Sequence, residues 1–316
     1  MPQPLIYYIM VPSHDAGRLP RMMQLLQSLR SLRWHNKVLP VNLILAGELS
    51  SEENYKLDLV MDMMQVRLVR VGNYACLLDA IWPGASRIFG SSCMLHKLVV
   101  LEAGFAGIDA DPCFYVDNDT YFHGDPAPLL SQCTQADFYA REEPFSQKSW
   151  LGYRPELIND DALMALQTGS RIMPFNTGVT LWNRGLPKRL IPLCRDFVSY
   201  CLRYWLWLIA QDRPVDTFPA LQRFKEDRQA QASCAGLDPL PYPVGDPWIY
   251  DQVALWMTVS QLPGLQQGWF KTDELLQGCE EIRFPERFKR PVLSHYFSAN
   301  TEAFFGAMNK MVFMAP

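Results

Sequence analysis

Residues 112–122 read Pro112-Cys113-Phe114-Tyr115-Val116-Asp117-Asn118-Asp119-Thr120-Tyr121-Phe122. An apolar run of strand-forming residues stops abruptly at two carboxylates one residue apart, the pattern of a buried strand that ends at a polar surface. In open α/β sheets ligands bind outside the carboxyl ends of the strands, so both acids are expected to face a crevice. Side chains alternate along an extended chain, and Asp117 and Asp119 share a side if the extension persists past them. Two oxygen donors on one side suit a hard cation such as Mg²⁺ or Mn²⁺, which keeps positions open for phosphate oxygens. The plainer alternative is a strand end followed by an Asx turn, because Asp, Asn and Thr are common turn residues.

Upstream of this stretch, strand-like runs alternate with helix-length amphipathic segments, which points to a largely parallel sheet covered by helices. Residues 5–12 read as a first strand, 19–33 as a helix, 41–46 as a second strand, 51–64 as a helix entered at Ser50 or Ser51, and 66–71 as a third strand. A helix over 92–104 then leads into the strand 112–117. Downstream the rhythm changes: strands are expected at 137–141 and 177–182, helices near 160–168, 187–210 and 248–260, and a last apolar run at 292–297. Residues 211–247, rich in Pro, Gln, Asp and Gly, look like an insertion.

Composition narrows the classes. The 316 residues are 49% hydrophobic and 20% charged, the balance of an ordinary globular enzyme. A formal net charge of −4 makes nucleic acid a poor partner. Eight cysteines without a C-x-x-C pair or zinc spacing read as reduced thiols, mostly in the core. The first apolar run lacks a basic leader and a cleavage site, so a strand is expected there. The segment 190–210 carries Arg195, Asp196 and Arg203 near its middle, which argues against a membrane span.

The stretch from Tyr115 to Pro126 resembles the D-x-D segment of A-type (GT-A) glycosyltransferases, in particular the retaining family of glycogenin and the bacterial lipopolysaccharide galactosyltransferases. Further segments resemble that family in the same chain order. Residues 96–102 (His-Lys-Leu-Val-Val-Leu-Glu) are similar to a helix carrying a basic residue toward the donor. Phe175-Asn176-Thr177-Gly178-Val179 is similar to the F-N-A-G-V segment, and residues 250–255 (Tyr-Asp-Gln-Val-Ala-Leu) to the D-Q-D-x-L segment. His295 falls where the family has a metal-ligating histidine. The Lys-Pro-Trp that follows it in the family is absent, which leaves Asn300, Lys310 or neither for phosphate.

The resemblance implies an α/β, Rossmann-like GT-A fold with a mixed central sheet, as a single catalytic domain over 1–316. Its donor-binding half is about 1–125 and its acceptor and catalytic half about 126–316. It implies transfer of a hexose from a nucleotide-diphosphate sugar, UDP-sugar favoured, to a hydroxyl acceptor on a glycan, lipid-linked sugar or protein. Asp117, Asp119 and His295 are the implied ligands of Mn²⁺ or Mg²⁺. Lys97, Asn118, Gly178, Pro12, Ser13 and Asp15 are the donor-binding candidates. Asn176, Asp251 and Gln252 are the catalytic ones, with Gln252 beneath the sugar if configuration is retained and Asp251 as base if it is inverted.

Each residue also has a structural reading: Lys97 as a solvated helix residue, His295 as a hydrogen-bonded core histidine, Asn176 as a turn residue, Asp251 as a helix-start acid. Two other functions compete. A phosphatase of the haloacid dehalogenase type would use Asp117 as nucleophile and Asp119 as general acid, although that motif normally opens its domain. A non-catalytic protein of the same fold would bind carbohydrate or a partner. The aromatic run Tyr204-Trp205-Leu206-Trp207-Leu208 suits the core or a subunit contact. A cytoplasmic location is expected, with attachment to a membrane surface left open.

Overall fold

The computed structural model describes residues 3–12, 18–81, 83, 86, 96–142, 175–193, 255, 259, 262–277 and 291–296. Its first strand, β1 (Gln3–Met10), is buried from Leu5 onward, and β2 (Val41–Leu45) is buried throughout. Between them runs α1 (Arg18–His35). The helix α2 (Ser51–Met63) starts where the sequence signals a cap: Ser50 Oγ accepts from Glu53 N, and Ser50 N donates to Glu53 Oε2 at 2.9 Å. That reciprocal box satisfies two donors the first turn would otherwise leave open. β3 (Arg67–Arg70) and α3 (Tyr74–Ile81) follow.

The expected helix over 92–104 is described from residue 96 and comes as two single turns, α4 (His96–Val99) and α5 (Leu101–Gly104). β4 (Ala110–Val116) is the decisive strand of the sequence. After it come β5 (Thr120–Phe122), α6 (Ala127–Gln132), β6 (Phe138–Glu142) and β7 (Phe175–Trp182). β8 (Gln267–Trp269), β9 (Leu275–Gln277) and β10 (Leu293–His295) complete the strands. Residues 186–193 are helical, which is the described part of the expected helix 187–210; residues 255 and 259, from the expected helix 248–260, are helical too. The expected helix near 160–168, the insertion 211–247 and the aromatic run 204–208 lie outside the described residues.

Seven strands form one sheet in the order β3-β2-β1-β4-β7-β6-β8. β3, β2, β1 and β4 are mutually parallel, whereas β7 runs antiparallel to both β4 and β6. The central sheet is therefore mixed, and strands from both expected halves of the chain pair side by side in it. A second sheet, β5-β10-β9, has three strands of three residues each. Its strands are too short for any periodicity to reveal them in sequence.

Leu25, Leu29, Leu43, Phe114, Phe122 and Phe270 are central members of a buried cluster shared by the two sheets and α1. Tyr8 and Ser28 share a hydrogen bond at 3.0 Å between β1 and α1, and Phe122 N donates to Ser31 Oγ at 3.0 Å. One helix thus braces both sheets. Among the described residues, no helix is long and apolar enough to cross a membrane. Of the described cysteines, Cys113 and Cys133 are buried and Cys76 is exposed, all as free thiols.

Candidate metal and donor site

β4 ends against β7, where Asp117 N donates to Gly178 O at 2.7 Å. The chain then bends instead of staying extended: Thr120 N donates to Asp117 O at 3.2 Å and closes a turn whose central residues are Asn118 and Asp119. The expectation that strand alternation brings the two acids to one side is corrected here. Asp-Asn-Asp-Thr is a turn-forming run, and the turn gathers the carboxylates. The plain turn reading and the site reading describe the same local structure.

The turn leads directly into β5, and β5 pairs antiparallel with β10 so that Thr120 lies opposite His295. Tyr296 N donates to Asp119 O at 2.9 Å, tying the histidine segment to the turn itself. His295 Nε2 consequently stands 3.3 Å from Asp119 Oδ1 and 3.6 Å from Asp117 Oδ2. One ligand atom from each of these three residues lies within 4.8 Å of the others. Gly178 makes room for the ring, since a β-carbon there would fall 2.0 Å from His295 Cε1.

Lys97 joins the group from α4. Its side chain is only 8% exposed, which sets aside the reading of a solvated helix lysine. Nζ lies 3.2 Å from Asp117 Oδ2, 3.0 Å from Thr177 Oγ1 and 5.3 Å from the centre of the Tyr115 ring. The Tyr115 hydroxyl donates to the other Asp117 oxygen, Oδ1. Neither Tyr115 nor Thr177 was singled out from the sequence. Alternation could have found Tyr115, two residues before Asp117 on the same strand face; the Thr177 contact depends on an irregularity in β7.

That irregularity is a register shift between β6 and β7. Ala140 pairs with Thr180, but the next residue, Arg141, pairs with Asn176. The intervening residues of β7 leave the ladder with β6 while Gly178 and Val179 keep their β4 partners, a bulge-like irregularity of the kind that re-aims side chains near functional sites. Asn176 Oδ1 accepts from Gly178 N at 2.8 Å inside the bulge, so its carboxamide oxygen is engaged by the backbone. Residues 177 and 178, which a regular strand would send to opposite faces, both meet the acidic group: Thr177 through Lys97, and Gly178 against His295.

Charge follows this geometry. Burial favours the neutral acid of Asp117, but the Lys97 charge, with His295 behind it, outweighs burial and holds the carboxyl well below the usual carboxylate range. Among the described residues no lysine acts on Asp119, and burial, reinforced by Asp117, pushes it up against the pull of His295. Burial alone would depress the His295 imidazole, yet the adjacent Asp119 and Asp117 carboxylates hold it up at about 9. An imidazolium between two carboxylates is the charge arrangement that a divalent cation would take over.

The remaining candidates fall as follows. Asn118 Oδ1 is buried with no hydrogen-bond partner among the described residues. Pro12 sits just past β1 against Gly47, where a β-carbon would come within 2.6 Å of Pro12 Cδ. Ser13, Asp15, Asp251 and Gln252 lie outside the described residues, as do Asn300 and Lys310.

No protein-family model and no curated protein matches the sequence. Among solved structures the chain is similar to the apo form of mouse xyloside xylosyltransferase 1, at 15% identity over 94% of this chain and 98% of that one, with a TM-score of 0.50. It is also similar to the apo WbbM bifunctional glycosyltransferase, at 11% identity over 94% of this chain with a TM-score of 0.55, and spans 46% of that protein's length. At these identities the likeness speaks for the fold. The chain has the Rossmann-like GT-A fold with a mixed central sheet.

Proposed function

We propose that this chain is a glycosyltransferase that moves a hexose from a nucleotide-diphosphate sugar to a hydroxyl acceptor with the help of Mn²⁺ or Mg²⁺. One observation carries the reading: two carboxylates and an imidazole from far along the chain meet within 4.8 Å beyond the carboxyl end of β4. The GT-A fold, and the transferase names of both structural neighbours, agree with it. The donor set fits a divalent cation. Metal–ligand bonds of about 2.1 Å put adjacent donors of an octahedron about 3 Å apart, close to the 3.3 and 3.6 Å separations found here.

When bound, such a cation supplies positive charge to the leaving diphosphate. The protein's own groups have distinct tasks beside it. Asp117, Asp119 and His295 would hold the cation, while Tyr115 and Lys97 fix the Asp117 carboxylate from either side. Lys97 adds a compact buried charge near the phosphates. Asn118 Oδ1, buried without a partner among the described residues, suits a donor hydroxyl. Pro12, Ser13 and Asp15, at the end of β1, would meet base and ribose.

Gln252 beneath the sugar and retention at the anomeric carbon come from the sequence resemblance, as do Asp251 as orienting acid and Asn176 toward sugar hydroxyls. A UDP-sugar donor and a glycan, lipid-linked or protein acceptor stand on the same footing, whereas a cytoplasmic location and self-association through Tyr204–Leu208 rest on the sequence pattern alone.

The test is a thermal-shift series with UDP-, GDP-, ADP- and CDP-sugars, with and without Mn²⁺. A ligand that binds only the folded form raises its stability. A shift that requires both the metal and one class of donor is expected; no shift with any donor would sink the reading. Slow Mn²⁺-dependent donor hydrolysis, lost in Asp119→Ala, separates an enzyme from a binding protein. Release of phosphate from a generic aryl phosphate would favour the phosphatase instead.

A further inference from the structure

We infer that Thr177 is a positioning residue whose hydroxyl anchors the Lys97 ammonium independently of Asp117, so that the lysine stays in place when that carboxylate turns to a cation. The inference rests on the metal reading above.

The geometry sets a conflict over one atom. Asp117 Oδ2 is the oxygen 3.2 Å from Lys97 Nζ and also the oxygen 3.6 Å from His295 Nε2. It is therefore in demand from both sides, by the lysine and by whatever cation sits between the carboxylates and the imidazole. A buried ammonium cannot simply release its acceptor, because an ion removed from water and stripped of partners costs several kcal/mol, roughly. A lysine anchored by Asp117 alone would compete with the metal for the oxygen.

Thr177 eases this conflict. Its Oγ1 lies 3.0 Å from Nζ, closer than the carboxylate, and the residue is 1% exposed. A hydroxyl is a neutral acceptor. It holds the ammonium without adding a negative charge that would draw the metal away from Asp117 and Asp119. Valine has nearly the same shape and cannot accept, while serine keeps the acceptor.

The bulge in β7 is what delivers this hydroxyl. With Arg141 paired to Asn176 and Ala140 to Thr180, residue 177 stands outside the regular ladder, and the Asn176 carboxamide clasps Gly178 N across it. The same bulge therefore serves both charged partners of Asp117. It clears space for His295 at Gly178 and presents an oxygen to Lys97 at Thr177.

The test uses the full chain as Thr177→Val and Thr177→Ser, each alone and combined with Lys97→Met, with two readouts: the Mn²⁺ Kd by titration, and the Tm of the metal-free protein. One lost hydrogen bond to a charged group corresponds to a Kd weakened by about 3- to 10-fold in Thr177→Val. Thr177→Ser should stay within about twofold of the wild type. Against Lys97→Met, Thr177→Val should weaken the Kd no further, since no ammonium is left to hold. Thr177→Ala replaces the valine variant if that one does not fold.

An unchanged Kd in Thr177→Val, with the wild type binding normally, overturns this proposal alone. So does an equal loss in the Lys97→Met background, which would mean the hydroxyl acts by packing. A wild-type protein that binds no Mn²⁺ overturns the metal reading and this proposal together.

Discussion

The parallel block β3-β2-β1-β4 and the small sheet β5-β10-β9 make opposite contributions to one site. The block is held by bulk: β2 is buried along its whole length, and Leu43, Ile6 and Phe114 are fully enclosed. The small sheet has three-residue strands and is held by individual contacts. His123 and Ser294 share a hydrogen bond at 2.9 Å, His123 N donates to Val292 O at 2.8 Å, and Ser31 braces Phe122. The carboxylates come from the end of the first region and the imidazole from the second. Stability and ligand geometry are therefore governed by different parts of the chain, and substitutions should separate them.

The largest effect on folding is expected in the block. Leu43→Ala should cost about 2–5 kcal/mol by urea denaturation, through lost burial and the cavity left behind, with the Mn²⁺ affinity of the remaining folded protein nearly unchanged. A large loss of affinity in that variant would break the separation. Gly178→Ala should act the other way. The added methyl displaces His295, so Mn²⁺ binding should weaken by about 10–100-fold for a smaller stability cost of about 1–3 kcal/mol.

Ser294→Ala sharpens the comparison at lower amplitude. Removing the His123 partner should cost about 1 kcal/mol in stability, with a loosened β10 weakening Mn²⁺ severalfold. Ser50→Ala, at the α2 cap and far from the turn, should cost about 1 kcal/mol as well; its Mn²⁺ titration should overlay that of the wild type. If Ser294→Ala and Ser50→Ala proved identical in metal binding, the small sheet would not be setting the histidine's position.

The same division decided what could be read from sequence. The strands of the block are long enough for their apolar runs to show, and the start of α2 is written in Ser50 and Glu53. Asp117, Asp119 and His295 were named from sequence as a group, because a D-x-D at a strand end and a late histidine carry a family resemblance. The order of the second sheet was illegible, since three residues give no period and β10 finds β5 only through tertiary pairing. In sequence the turn at 117–120 reads as a rival to the candidate site; in the fold that turn is what brings the two carboxylates together. Thr177 escaped notice because strand alternation assigns it the wrong face, and only the register shift against β6 corrects that.

Packing the imidazole of His295 into the volume that a β-carbon at 178 would fill links the two positions as lock and key within one chain. Among natural variants, a side chain at 178 should be found only where 295 has become small or has moved. The pair should thus drift together, and a screen that restores activity to Gly178→Ala should return second changes around residue 295 before any elsewhere.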